Sequence, residues 1–394
     1  MRHHAFPNGV TNAGLVEWYR ATRARTRTLF DLVTPEAYYD RPIALRNPIV
    51  FYEGHLPGFS VNTLIKLTLQ RPGVDERLET LFARGIDPAD ESAVRSPTDV
   101  WPSREEVQVF AAACDALVEA ALAETPIGEA SFTIIEHELM HQETLLYMLH
   151  NLPYEKKQSS SLQVAKSSRG FSPARSIAIP AGRATLGTSR EFFGWDNEFP
   201  AHVVDVPAFE IDAYPVTNGQ YLEYIDATGA PGPHFWDGTS RWRGMFSLQP
   251  LMLDAPVWVT HDEASAYAKW RGKRLPSEAE FQRAAEGVKG GEYGFQSFDP
   301  VAVDAHPEGV SAWGVHDLVG NGWEWTSTLF DGFPGFKPMA SYKEYSADFF
   351  DNAHYVLKGA SPVTDSALIR PGFRNWFRPN YPYVFAKFRC ASCT

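Results

Sequence analysis

The amino-acid sequence predicts an α+β protein of two domains, an N-terminal four-helix bundle followed by an irregular, loop-rich α+β domain. Apolar residues recur at helical spacing within residues 1–155, whereas short β-type runs with dense Gly, Pro and Trp follow from residue 177. The intervening residues 156–175 are polar, rich in Ser and Lys, and aperiodic, which is typical of a linker. The second domain is therefore expected to span residues 176–394.

Composition and charge restrict the class of protein. The 394 residues are 44% hydrophobic and 21% charged, as is usual for a soluble globular protein, and the net charge of -12 disfavours a nucleic-acid surface. No run approaches the roughly 20 apolar residues of a membrane span. The first ten residues lack the apolar centre of a signal peptide, and three cysteines are too few for a disulfide framework. We expect a monomeric, cytoplasmic protein that binds neither nucleic acid nor membrane.

The helical segments follow from periodicity, capping residues and proline. The predicted helices cover residues 13–40, 47 to about 59, 101 to about 123 and 131–152 in the first domain, and residues 262–271 and 277–286 in the second. Asn47 and Pro48 are expected as N-cap and first helical residue of the second helix. Pro57 is expected to kink or end this helix, because it lacks a backbone N–H.

The fourth helix carries the strongest sign of chemistry. One stripe at three- and four-residue spacing contains Ile134, His137, Glu138, His141, Leu145, Met148 and Leu152. Two imidazoles one turn apart can converge on a single ion, so the spacing favours a metal site over a structural buried pair. Helical bundles build metal sites from facing helices. A third inward-facing imidazole, His55 on the second helix, fits such a site.

Residues 137–141 (HELMH) also match the HExxH motif of zinc hydrolases. The extended form of that motif requires a glycine and a further histidine, where this chain has Thr144 and Tyr147. No second helix with a ligand glutamate follows. The hydrolase interpretation is therefore disfavoured, whereas the metal interpretation stands.

Six motifs of the second half point to a known family. They are residues 179–182 (IPAG), 193–198 (FGWDNE), 215–218 (PVTN), 272–280 (GKRLPSEAE), 320–325 (GNGWEW) and 388–391 (FRCA). Over about residues 176–394 the chain resembles the formylglycine-generating-enzyme (sulfatase-modifying factor) domain, which has a C-type-lectin-like fold. Together with the preceding bundle, the chain resembles the ergothioneine-biosynthesis sulfoxide synthases (hercynine oxygenases), in which a DinB-like bundle precedes such a domain.

This resemblance implies an iron site and a reaction. The family's three-histidine pattern falls on His55, His137 and His141, and it is the resemblance that selects His55. It implies Fe(II) as cofactor, although three histidines alone would suit zinc equally well. The implied substrates are hercynine, a thiol donor and O2, which form a C–S bond at imidazole C2 together with a sulfoxide. The active site is expected between two domains with separate cores.

The resemblance also implies the substrate pocket. Asn375 and Trp376, preceded by Arg374, match the residues that receive the trimethylammonium betaine, and an indole face attracts such a cation. Phe377 replaces an acidic residue of relatives that use γ-glutamylcysteine, which favours cysteine as donor. Met140 stands before the third ligand, where many relatives have Gln. The family's proton-donating tyrosine has no clear match in this chain. Tyr342 is the nearest candidate, and Tyr345 lies nearby. Met339 is an alternative match to the position of that tyrosine.

Three alternative functions share parts of this sequence pattern. Formylglycine generation needs a cysteine pair, and residues 359–365 (GASPVTD) contain no cysteine, which excludes it. Selenoneine or ovothiol-type synthesis, with another donor or regiochemistry, stays open. A non-catalytic binding protein with the same fold is a further alternative, which an intact three-histidine set disfavours.

Overall fold

The computed structural model describes residues 10–83, 101–158 and 175–393. Within these ranges the helices are α1 (Asn12–Phe30), α2 (Ile49–Ser60), α3 (Glu76–Leu81), α4 (Arg104–Glu124), α5 (Glu129–His150), α6 (Asn218–Thr228), α7 (His261–Trp270) and α8 (Glu278–Ala284). Most of the predicted linker, residues 159–174, lies outside the described residues.

The N-terminal half is the predicted four-helix bundle. Both α1 and α2 pack against α4 and α5, and the short α3 packs on α2. Side-chain oxygens cap three of these helices. Thr11 accepts from the Gly14 N–H, Asp75 from the Leu78 N–H and Ser103 from the Glu106 N–H. α5 is buried on nearly every side, with eighteen of its 22 residues buried. It is therefore the central helix of the molecule.

Two proline effects differ from the expectations. The first helix ends at Phe30 and not near residue 40: Val33 and Thr34 pair with residues 156–157, and Pro35 holds Thr34 in extended backbone. Pro57 does not end α2, which continues to Ser60 and then into a π-helix, Val61–Thr68. All twelve residues of α2 are buried, so packing overrides the unfavourable helix propensity of proline. The N-cap of α2 is Pro48, one residue later than predicted.

The C-terminal half is an irregular α+β domain, as predicted. Its strands are β1 (Ser176–Ile179), β2 (Gly182–Leu186), β3 (His202–Val206), β4 (Phe209–Asp212), β5 (Trp236–Asp237), β6 (Arg241–Arg243), β7 (Leu248–Pro250), β8 (Gly322–Leu329), β9 (Tyr355–Ala360), β10 (Asn375–Phe377), β11 (Ala386–Lys387) and β12 (Ala391–Cys393). They form sheets in the orders β1-β4-β12, β10-β9-β8-β11, β2-β3 and β5-β6-β7. All pairs are antiparallel except β11 with β8.

The three helices of this domain each begin with a capping box. The hydroxyl oxygen of each N-cap residue accepts a hydrogen bond from the backbone N–H three residues later, and the side chain of that later residue accepts one from the N-cap N–H. The pairs are Thr217 with Gln220, Thr260 with Glu263, and Ser277 with Glu280. The predicted brief helices thus lie at His261–Trp270 and Glu278–Ala284. None of the helices described is long and apolar enough to cross a membrane.

The prediction of separate cores is wrong. One hydrophobic cluster runs from Leu15 of α1 through α5 to Phe388 and Cys390 near the end of the chain. A smaller cluster lies between α8 and the β1-β4-β12 sheet. The domains share a core because α5 is buried around most of its circumference and is covered by both halves.

Candidate metal centre

Three imidazoles converge at the contact between α2 and α5. Nitrogen atoms of His55, His137 and His141, one from each residue, lie within 4.8 Å of one another. The ring centroids are 4.4 Å apart for His137 and His141, and 5.3 Å from His55 to each of the other two. His55 and His137 are buried, and His141 is half-buried. The predicted set is therefore brought together in one place.

The donor chemistry of this cluster fits a transition-metal ion. Imidazole nitrogens are good ligands for iron and zinc, and three of them leave further coordination positions open. His55 Nδ1 lies 2.8 Å from the carbonyl oxygen of Phe82. A carbonyl can only accept a hydrogen bond, so Nδ1 carries the proton and the Nε2 lone pair is available for an ion.

Aromatic rings surround the cluster. Phe59 stacks on His137 at 3.5 Å between centroids, Phe51 stacks on His55 at 4.9 Å, and Tyr52 lies 5.9 Å from His141. A cavity of about 340 Å³ adjoins the cluster, and its lining includes His55 and the π-helix that continues α2. π-helical segments are frequent at functional sites.

Tyr342 also lines this cavity. Its half-buried ring is 6.0 Å from His137 and 5.1 Å from Phe59, centroid to centroid. The preceding Ser341 is held against α5, because its N–H and hydroxyl donate to Glu129 Oε1 at 2.9 Å and 2.7 Å. The helix that bears two of the histidines therefore also fixes the position of Tyr342.

Glu138, the glutamate of the HExxH motif, faces away from the cluster. Its Oε1 accepts from Arg23 Nη1 at 2.9 Å and from the Thr26 hydroxyl at 2.5 Å, both on α1. A zinc hydrolase would need this carboxylate beside the metal as general base. Its pairing with α1 removes the basis of the hydrolase interpretation.

Met140 contacts the C-terminal domain through Tyr345. The buried Tyr345 hydroxyl lies 3.2 Å from the Met140 sulfur, and burial raises the pKa of Tyr345 well above its ordinary value. Trp376 meets the Tyr345 ring edge-on at 5.2 Å and stacks on Phe330 at 4.2 Å. Tyr345 thus connects Met140 with the predicted betaine-binding tryptophan.

Arg374 and Asn375 have different surroundings. The buried Arg374 guanidinium pairs with Glu278 at 3.1 Å and lies against the rings of Phe330 and Phe333. We therefore assign Arg374 to the structure of the domain and leave it out of the proposed substrate pocket. Asn375 is half-buried, and its Oδ1 accepts from the N–H of the following Trp376.

Phe377 belongs to an aromatic group that spans both domains. It stacks on Tyr381 at 5.0 Å and meets Tyr147 of α5 edge-on at 6.3 Å. The Arg46 guanidinium lies 5.7 Å from the centroids of both tyrosine rings, and its Nε donates to the Tyr381 hydroxyl at 3.3 Å. Sequence reasoning missed this group: Arg46 and Tyr381 lie outside every motif, and Tyr147 was noted only as a mismatch to the extended HExxH motif.

Two buried glutamates of α5 bind the C-terminal domain. Glu136 pairs with Arg370 and accepts from the Trp195 indole at 2.9 Å, and burial raises the pKa of Glu136 to about 7. Glu143 accepts from the Trp323 indole at 2.6 Å and from the Thr364 hydroxyl at 2.8 Å. α5 therefore carries two histidines on one face and domain contacts on others.

Comparison with known proteins supports this description. The family model of the sulfatase-modifying factor enzyme 1-like domain matches residues 161–393. The hercynine oxygenase of Mycolicibacterium thermoresistibile is 32% identical over 423 residues, covering 93% of this chain and 92% of that protein. The hercynine oxygenase of Mycobacterium tuberculosis is 36% identical, covering 72% and 75%. Ergothioneine biosynthesis protein 1 of Neurospora crassa is 27% identical, covering 91% and 55%.

The fold and site define an oxygenase-type enzyme in which a helical bundle with a three-histidine cluster is joined to a sulfatase-modifying-factor domain. Similarity extends over nearly the whole chain and over both of its domains. The chain belongs to the hercynine oxygenase family.

Proposed function

We propose that this protein is a non-heme iron oxygenase of ergothioneine biosynthesis, with Fe(II) held by His55, His137 and His141. The observation that carries the proposal is the convergence of three imidazole nitrogens within 4.8 Å in a chain of the hercynine oxygenase family. Neutral imidazoles suit Fe(II), and three protein ligands leave positions for substrates.

The proposed reaction joins imidazole C2 of hercynine to the sulfur of a thiol, with O2 as oxidant. The C2–H and S–H bonds break and a C–S bond forms. One oxygen atom becomes the sulfoxide oxygen, and the other leaves as water with the two hydrogens. Fe(II), when bound, supplies the centre at which the thiol and O2 react.

The protein's part is to bind and orient hercynine. The Trp376 indole offers its face to the trimethylammonium group, and Asn375 offers an amide to the carboxylate. Trp376 stacks on Phe330 with one face and contacts Tyr345 edge-on, which restricts its orientation. A fixed indole holds the imidazole C2 carbon against the donor sulfur at little entropic cost.

Tyr342 is the proposed proton donor. It is half-buried and borders the cavity beside His137, and its neighbour Ser341 is anchored to α5. Tyr345 is less suited, because its hydroxyl is directed to the Met140 sulfur and burial raises its pKa. General acids of this kind typically contribute 10²–10⁴-fold to a rate.

Cysteine is the proposed donor in preference to γ-glutamylcysteine. The surroundings of Phe377 are aromatic, with the Arg46 cation against the neighbouring Tyr147 and Tyr381. The α-ammonium of γ-glutamylcysteine would meet a ring where relatives offer a carboxylate. An ammonium without a partner costs on the order of 1–3 kcal/mol, which corresponds to roughly ten- to hundred-fold in specificity.

Metal binding tests the proposed centre. Protein loaded anaerobically with Fe(II) is expected to hold one ion per chain, and the His55→Ala, His137→Ala and His141→Ala variants are each expected to lose it while staying folded by circular dichroism. His202→Ala changes a half-buried histidine of the C-terminal domain and serves as the matched control. Full iron occupancy in all three ligand variants would contradict the proposal.

A further inference from the structure

We propose that Phe82, through its backbone carbonyl, is a positioning residue for the metal ligand His55, and that Gly54 makes this arrangement possible. The inference rests on the proposed function of the three-histidine centre. Its first support is the 2.8 Å hydrogen bond from His55 Nδ1 to the Phe82 carbonyl oxygen, between two residues that are 4% and 0% exposed.

This hydrogen bond selects one form of the imidazole. With Nδ1 as donor, the neutral ring presents the Nε2 lone pair, and the ring plane is fixed relative to α2. An outer hydrogen bond of this kind orients a ligand histidine and raises its basicity. A free ring would instead distribute between two tautomers and several rotamers. The Phe82 carbonyl therefore prepares His55 before an ion arrives.

The carbonyl is held in place by packing of the Phe82 side chain. The Phe82 N–H donates to the Leu78 carbonyl at 2.9 Å, at the end of α3. The ring stacks with Trp101 and with Phe110, each at 6.1 Å between centroids, and lies 6.4 Å from Phe51. Residue 82 is thus fixed on both its backbone and its side chain.

The Phe82 ring packs against the backbone of α2 at Gly54, which directly precedes His55. A Cβ atom at position 54 would be 2.5 Å from the Cδ2 and Cζ atoms of Phe82, closer than side-chain carbons approach. An alanine there must displace the Phe82 ring or shift α2. Displacement of the ring moves the attached carbonyl away from His55 Nδ1.

Gly58, one turn along the same helix, is a matched control. A Cβ atom at position 58 would lie 3.7 Å from the Phe110 ring, which is an ordinary contact. Both substitutions place alanine for glycine in α2, so both raise helix propensity equally. They differ in whether the Phe82 ring must move.

The test measures Co(II) and Fe(II) affinity by anaerobic chelator competition in the full chain. Gly54→Ala is expected to weaken metal binding by about 10–100-fold, to alter the visible absorption spectrum of bound Co(II), and to change the His55 imidazole nitrogen-15 shifts in the metal-free protein. Gly58→Ala is expected to match the unaltered protein in all three measurements. Unchanged affinity in Gly54→Ala, or equal weakening in Gly58→Ala, would overturn the inference.

A second variant keeps the test decisive if Gly54→Ala does not fold. Phe82→Leu lacks the ring atoms that the added methyl meets, so the double variant Gly54→Ala/Phe82→Leu should fold and bind metal as tightly as Phe82→Leu alone. Weaker metal binding by the double variant than by Phe82→Leu alone would overturn the inference. Absence of metal binding in the unaltered protein would instead refute the proposed metal centre, so the two failures are distinguishable.

Discussion

Arg370 of the C-terminal domain pairs with Glu136, the residue that directly precedes His137 on α5. Its Nη1 and Nη2 atoms donate to the two carboxylate oxygens at 2.8 Å and 2.9 Å, and Nη2 also donates to Glu198 at 2.5 Å. All three side chains are buried or nearly so. The helix that presents two histidines is thereby fixed to the domain that carries the proposed substrate pocket.

Arg370→Ala is expected to destabilise the protein strongly. The substitution leaves the Glu136 and Glu198 carboxylates buried without their guanidinium, and loss of one partner of a buried ion pair typically costs about 3–5 kcal/mol. Urea unfolding measures the free energy. Arg20→Ala removes a largely exposed pair with Glu119 and should cost much less, because water and salt screen exposed charges. Equal effects of the two substitutions would contradict the role given to Arg370.

Asp196 is expected to make stability depend on pH. Burial raises the pKa of the Asp196 carboxyl to about 6, from 3.8. Between about pH 4 and pH 6 the folded protein therefore keeps a proton that the unfolded chain has lost. This proton contributes up to about 3 kcal/mol to the free energy of unfolding. The contribution is fully present below pH 4 and is lost as the pH rises through 6.

The Asp196→Asn variant isolates this contribution. Asparagine cannot ionise, so the unfolding free energy of the variant should fall less steeply from pH 4 to pH 6 than that of the unaltered protein. The two proteins should be most similar near pH 4, where Asp196 is protonated. Urea unfolding across this range measures the difference, and parallel pH profiles would contradict the prediction.

Tyr342→Phe is expected to slow turnover and leave the metal in place. Loss of the proposed proton donor should reduce kcat by about 10²-fold or more, with unchanged iron content. Tyr345→Phe removes a hydroxyl that contacts the Met140 sulfur and should have a smaller effect on kcat. A large loss for Tyr345→Phe with none for Tyr342→Phe would reverse the assignment of these tyrosines.

Phe377→Asp is expected to change the donor preference. A carboxylate at this position could receive the α-ammonium of γ-glutamylcysteine, so the ratio of kcat/KM values should move toward that donor by roughly ten- to hundred-fold. Phe377→Asn introduces polarity without charge and should move the ratio much less. The measurement is a donor panel of cysteine, γ-glutamylcysteine and a selenium donor with hercynine. A preference of the unaltered protein for γ-glutamylcysteine would contradict this interpretation of Phe377.

Local sequence patterns predicted the four bundle helices, α7, α8 and part of the cluster, but they missed α3 and α6. The spacing of His137 and His141 by one turn is a property of the helix itself, so it could be found without a structure. His55 lies 82 residues before His137 in the chain. Only the resemblance to a family pattern identified it as the third ligand. No side-chain pattern could predict the Phe82 contact, because the atom that meets His55 belongs to the backbone.

The shared core was missed for a related reason. The prediction treated α5 as one apolar stripe, yet Ile135, Leu139, Leu146 and Leu149, which lie off that stripe, are also buried. A helix with apolar residues on more than one face is covered on each of those faces. The same burial explains why Pro57 does not end α2, since tertiary packing outweighs local backbone preference there.

Oxygen consumption by the iron-loaded protein tests the central claim most directly. With Fe(II), hercynine and cysteine present, uptake of one O2 per hercynine is expected, together with a sulfoxide product identified by mass spectrometry. Omission of hercynine, or the His137→Ala substitution, should abolish the uptake. Protein that holds iron at the three histidines but consumes no O2 in response to hercynine and any thiol of the donor panel would contradict the account.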